Sequence, residues 1–189
     1  MRIIKLGGSL LDNKSLVTCL THIQNNPTST LIVTGGGAFA EQVRIAQQQW
    51  QFNDVAAHHM AILAMQQMAL LVNALQPDWR LLQSFSDLQS WHTQNRIGLW
   101  FPDITLLNAQ GIAASWRVTS DSLAAWLAGA TQANELIIVK AAEFSVTAST
   151  AELVALEVLD QAFLGYIKPA RFVTTIINSH DFIQQILMP

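Results

Sequence analysis

Four short stretches of this chain hold residue types that can bind and move charged oxygen. Lys5-Leu6-Gly7-Gly8-Ser9 ends the apolar run 2–6. Its glycine pair permits a tight turn, a helix start beyond it would offer unpaired amides to an anion, and Lys5 adds a point charge at the same spot. Gly35-Gly36-Gly37 ends the β-branched run 29–34 and precedes a helical pattern. Three successive residues without side chains let a ligand approach the bare backbone. Asp121, beside Ser120, falls at the start of an apolar helix, and Lys140 ends the apolar run 135–140. Lysines, a carboxylate and glycine amides gathered at strand ends suit phosphoryl transfer, where catalysis is mostly positioning and charge stabilisation.

Each feature also has a plainer use. A glycine loop can be only a crossover turn, Ser120 or Asp121 can cap its helix, and Lys140 can reach solvent. Two glycine loops at successive strand ends are harder to dismiss than one. Their spacing fits neither GxxxxGK[ST] nor GxGxxG. His58 and His59 are neighbours on a helical pattern, about 100° apart, so at most one faces a cleft. His59 is the preferred contact for an acceptor phosphate, against a surface or core role for either histidine. Neither has a cysteine or second histidine at i+4, which argues against zinc. Met60, Met65 and Met68 fit the apolar face of the same helix, as packing or a subunit interface. Trp100, Trp116 and Trp126 line a pocket or pack in the core. Arg44 lies one to two turns into the helix after the second glycine loop, which places it too far along to serve a carboxylate acceptor.

The elements that must position these residues alternate. Apolar runs at 2–6, 29–34, 80–85, 97–101, 135–140 and 171–177 read as strands. Helical patterns cover 9–25, 38–50, 54–76, a polar piece between the third and fourth strands, 120–131, 150–165 and the closing SHDFIQQILM. Near-continuous apolar strands alternating with helices predict an α/β three-layer αβα sandwich with a mostly parallel sheet, formed as one domain over 1–189. Ligands then bind outside the carboxyl ends of the strands. The segment 141–150 reads as a mobile loop. The 189 residues are 51% hydrophobic with net charge −3, so no basic excess points to nucleic acid or an anionic membrane surface. No apolar run reaches the roughly 20 residues of a membrane span, and the N-terminus does not read as a signal peptide. Cys19 alone excludes an intrachain disulfide. A cytoplasmic globule is the expectation.

Taken in order, the motifs resemble the amino acid kinase superfamily, the αβα fold of acetylglutamate, aspartate, uridylate and isopentenyl phosphate kinases. IIKLGGSLL is similar to its first phosphate-binding loop and LIVTGGGAFAEQVR to its second glycine loop. VTSDSLAAWLA is similar to its Asp-x-Leu-Ala helix start, and LDQAF and TTIIN to its tail. DVAAHHMAILAMQQMALLV, SWRVTSDSLAAWLA and LIIVKAAEF resemble, more narrowly, a small subfamily of methanofuran biosynthesis. Its members phosphorylate 5-(aminomethyl)-3-furanmethanol phosphate to the diphosphate. VKAAEF departs from many relatives, which carry Thr-x-Val-Asp-Gly-Val-Tyr there.

The resemblance implies an ATP-dependent kinase that uses Mg²⁺, acts on a small-molecule phosphate and assembles as a homo-oligomer. It places Lys5 on the transferring phosphoryl group and Gly7, Gly8 and Ser9 on the β- and γ-phosphates. Asp121 orients Lys5 or the magnesium shell, and Lys140 serves the nucleotide side. Gly35, Gly36, Gly37, His59 and Ser120 fall to the acceptor. Another phosphomonoester or a carboxylate acceptor, or a non-catalytic nucleotide- or oxyanion-binding relative, are the alternatives.

Overall fold

A computed structural model describes residues 1–11, 15–26, 28–92, 96–169 and 171–184. The apolar runs become six strands: β1 (Arg2–Leu6), β2 (Thr30–Thr34), β3 (Arg80–Leu82), β4 (Ile97–Trp100), β5 (Glu135–Lys140) and β6 (Val173–Asn178). They form one sheet in the order β3-β4-β2-β1-β5-β6, every pair parallel. Alternate residues of the central strands enter two different cores. Ile3, Leu31, Leu136 and Ile138 face one, while Ile4, Leu6, Ile32 and Val139 face the other. Burial on both faces is why these strands read as unbroken apolar runs. The expected αβα sandwich is what the structure shows.

The helices are α1 (Ser15–Gln24), α2 (Gly37–Trp50), α3 (Asp54–Leu75), α4 (Phe85–His92), α5 (Ile104–Ala109), α6 (Ser120–Ala130), α7 (Thr150–Ala155), α8 (Phe163–Ile167) and α9 (Ser179–Gln184). The expected helix from Ser9 is instead a four-residue 3-10 turn, Gly8–Leu11, with α1 starting later. The third strand stops at Leu82 because Ser84 and Asp87 bond reciprocally and start α4. The pattern over 150–165 splits because Glu157 adopts φ 55° and the Val158 amide turns back to the Leu153 carbonyl, ending the helix. The last residues of the closing pattern lie outside the described residues.

α3 is 22 residues long and holds a stretch with mean hydropathy 1.4, so on length and composition it could cross a membrane, contrary to the expectation of no such run. One face of it is committed to the protein core through Ala57, Ile62, Met65, Met68 and Val72. Met60 does not share that face: it is exposed, with Leu63 and Leu70.

β1 lies between β2 and β5, where the strand order reverses. The carboxyl ends of these three strands therefore open side by side, the usual place for a ligand in such a sheet.

Candidate functional site

Leu6 and Thr34 are register partners, so the two glycine loops leave the sheet together. The Gly35 amide donates to the Leu6 carbonyl (2.8 Å) and the Gly7 amide to the Val139 carbonyl (2.9 Å). The loops then pack backbone on backbone. A Cβ on Gly35 would lie 2.7 Å from the Gly8 nitrogen, and one on Gly8 would strike the Gly37 backbone. Gly37 itself has φ 53°. Glycine here is first a demand of loop-on-loop contact. Gly8→Ala should therefore force the loops apart, costing about 1–3 kcal/mol in urea unfolding; an unchanged midpoint would contradict the contact. α2 starts at Gly37 without a side-chain cap, leaving its first amides open at this junction.

Three charged side chains meet beside the loops. Asp121 Oδ1 is 2.8 Å from Lys5 Nζ, and its Oδ2 accepts a hydrogen bond from Lys140 Nζ at 2.6 Å. The Lys5 contact is ionic rather than an aligned hydrogen bond, since Oδ1 has no hydrogen-bond partner. Lys5 and Asp121 are buried and Lys140 nearly so. Burial alone would push the Asp121 carboxyl up; the Lys5 and then the Lys140 ammonium overturn that and hold it below the usual carboxylate range. Burial, helped by the charge of Lys5 and opposed by Asp121, brings Lys140 down to about 8. Two ammonium groups share the one carboxylate of Asp121, with the Asp160 charge also acting on Lys140, and such a lysine pair suits an anion.

Asp121 is free to take both lysines because another residue caps its helix. The expected cap by Ser120 or Asp121 is replaced by the Asp160 carboxylate. It accepts from the Thr119 amide (2.9 Å) and hydroxyl (2.8 Å), from the Ser122 amide (3.0 Å) and from the Ser122 hydroxyl. Sequence reasoning assigned Asp160 no role. LDQAF marks its place along the chain but says nothing of α6, 38 residues before it.

A cleft of about 460 Å³ opens over the junction. Gly8, Ser9, Gly35, Gly36, Gly37 and Ser120 line it, which includes every expected acceptor residue except His59. The histidine differs from expectation. His58 lines the cleft, while His59 stands 3.4 Å from the Asn108 side chain and does not. Of the tryptophans only Trp116 reaches it; Trp100 is buried in the core and Trp126 packs between Trp100 and Phe85. Arg44 also lines the cleft, against the expectation that it lies too far along α2. Its guanidinium sits 3.8 Å over the Trp116 ring, and the Trp116 indole donates to Gln47 (2.6 Å). A second cleft, about 480 Å³, reaches Asp121, Lys140 and Arg117 and shares Arg44, Trp116 and Thr119 with the first. Among the described residues no group of three or more His, Cys, Asp or Glu is arranged to hold a metal.

A sequence profile of the amino acid kinase family matches residues 1–143. The [5-(aminomethyl)furan-3-yl]methyl phosphate kinase of Methanocaldococcus jannaschii is 29% identical over 143 residues, covering 73% of this chain and 64% of that protein. The match thus spans less than two thirds of that relative's length. Among solved structures, the uridylate kinase of Archaeoglobus fulgidus superposes with a TM-score of 0.74 at 16% identity, covering 99% of this chain and 95% of that one. The UMP kinase of Bacillus anthracis gives 0.72 at 16% identity, covering 100% and 92%. These structures share the fold. With the profile covering most of its length, the chain belongs to the amino acid kinase family.

Proposed function

We propose that this chain is an ATP-dependent kinase whose acceptor is a phosphomonoester, [5-(aminomethyl)furan-3-yl]methyl phosphate, converted to its diphosphate in methanofuran biosynthesis. The observation that carries it is the Asp121 bridge between Lys5 and Lys140, set beside two interlocked glycine loops at the mouth of the sheet. An acceptor that is itself a phosphate presents an oxygen already ionised near neutral pH, so no strong general base is required. The obstacle is the approach of two anions. Lys5 stabilises charge as it moves toward the leaving oxygen, and the backbone amides at Gly8, Ser9 and Gly37 hold phosphate oxygens. Gly35, Gly36 and Ser120 shape the acceptor side, and Lys140 with Asp121 faces the donor side. A bound nucleoside triphosphate supplies the phosphoryl group. The two ammonium groups fit that anion; Mg²⁺ fits as an ion carried on the donor's phosphates, as magnesium commonly is, with no group of three or more His, Cys, Asp or Glu arranged for a metal among the described residues.

ADP release across a panel of acceptors tests the reading. Turnover should require the aminomethylfuran phosphate and be absent with aspartate or acetylglutamate. Arg44 in the cleft favours one second reading, a carboxylate acceptor. Its guanidinium, however, is engaged on Trp116 and lies 3.8 Å from Glu41. ADP release with a carboxylate and none with the phosphate would reverse the order of the two.

Lys140 predicts a pH dependence. Its ammonium is lost as pH rises through about 8, so kcat/KM should fall on that basic limb. In Lys140→Arg, whose charge persists, the limb should move out of range; an unchanged limb would assign it elsewhere. The exposed Met60, Leu63 and Leu70 support a homo-oligomer built on α3. Leu63→Glu should lower the mass seen by light scattering to that of a monomer, and no change would exclude this face.

A further inference from the structure

We propose that the acceptor cleft ends in a subsite for a positively charged donor group, where His58 Nε2 accepts a hydrogen bond from an ammonium carried by the phosphomonoester substrate. The proposal rests on the kinase reading above and adds the residue that recognises the end of the acceptor remote from its phosphate.

The cleft has two ends. The Thr34 hydroxyl donates to the Met65 carbonyl (3.1 Å), tying α3 to β2 just before the second glycine loop. His58 lies two turns back along α3, a rise of about 10 Å from Met65. Between the two ends, Ala61, Ile62 and Leu123 give the cleft an apolar wall. A ligand that spans it has a phosphate at the glycine loops, a compact apolar body and a polar group near His58.

The chemistry of that polar group follows from the ring. His58 is only 5% exposed. Its Nδ1 is 3.3 Å from the Ser115 carbonyl, which can only accept, so Nδ1 carries the proton. In the neutral ring Nε2 is then a bare acceptor. Burial, joined by His59 and opposed by the Ser115 carbonyl, lowers the pKa and keeps the ring neutral. Nε2 has no hydrogen-bond partner among the described residues, and His58 lines the cleft. Two donors of the cleft are already engaged: the Trp116 indole with Gln47, and the Arg44 guanidinium with the Trp116 face and Glu41. The unfilled position on His58 is thus an acceptor. An ammonium satisfies it more strongly than a neutral hydroxyl does.

The test is calorimetric binding of two probes, [5-(aminomethyl)furan-3-yl]methyl phosphate and its analogue with methyl in place of aminomethyl. Wild type should bind the amine at least about tenfold more tightly, the worth of one charge-assisted hydrogen bond. His58→Phe should bind both probes alike, at the affinity wild type shows for the methyl analogue. His58→Gln, which keeps an acceptor oxygen, should retain part of the preference and decides the matter if the Phe variant does not fold. Equal affinities in wild type, or a preference that survives in His58→Phe, overturn the subsite. Turnover with ATP in the same samples judges the kinase reading separately. A preference that depends on His58 without ADP release keeps the subsite and defeats that reading; a wild type that binds neither probe defeats both.

Discussion

Lys5→Met should leave the protein folded and cut kcat about a thousandfold, the scale of losing a preorganised charge from a phosphoryl or oxyanion site. The fold should survive because methionine is also long, unbranched and easily packed. Asp121 keeps its 2.6 Å bond to Lys140, so no carboxylate is left buried and unpaired. The loss should appear in kcat more than in KM if, as proposed, Lys5 stabilises charge that develops during transfer. Stopped assays at saturating substrate, alongside a melting curve, measure both. A kcat like wild type would remove Lys5 from the chemistry.

Asp121→Asn should be the most destabilising conservative change in the site. It leaves two ammonium groups near each other and buried, with only the more distant Asp160 carboxylate acting on Lys140. Breaking a buried ionic set in this way costs about 3–5 kcal/mol. Adding Lys140→Met to Asp121→Asn should recover part of the loss, because one of the opposed charges goes with it. The pH dependence has a definite sign. Lys140 has a folded pKa of about 8, below its ordinary 10.5. The penalty of holding it charged is complete below 8 and is relieved as pH rises through that value. Removing Asp121 removes an influence that raises Lys140, so relief in the variant should begin at lower pH. Urea unfolding across pH measures this. A single variant as stable as wild type at neutral pH would show that the bridge does not hold the site together.

Much of this site is legible in the chain because its chemistry sits at strand ends. Lys5, the two glycine loops and Lys140 each adjoin an apolar run that must be a buried strand, and Asp121 starts the apolar helix α6. A parallel sheet then gathers those ends whatever the strand order. What could not be read depends on rotation and on distant contacts. Which of His58 and His59 faces the cleft is set by the roll of α3, fixed by its buried face and the Thr34–Met65 bond. Arg44 reaches the cleft because α2 and α3 pack side by side and Trp116, from a separate loop, supplies a surface for its guanidinium. Asp160 caps α6 from the far side of β5, a contact no local spacing encodes. The glycines also changed meaning. Their first duty is the close approach of two backbones, and the open amides of the junction follow from it.

In the proposed reaction one phosphoryl group passes from nucleotide to the oxygen of an acceptor phosphate at the Lys5–Asp121–Lys140 junction. Phosphorus NMR of the product formed from ATP and [5-(aminomethyl)furan-3-yl]methyl phosphate tests it most directly. A pair of mutually coupled signals from a new diphosphate should appear with ADP and be absent with Lys5→Met. An unchanged single acceptor signal, or an uncoupled second phosphate on another atom of the acceptor, would contradict it.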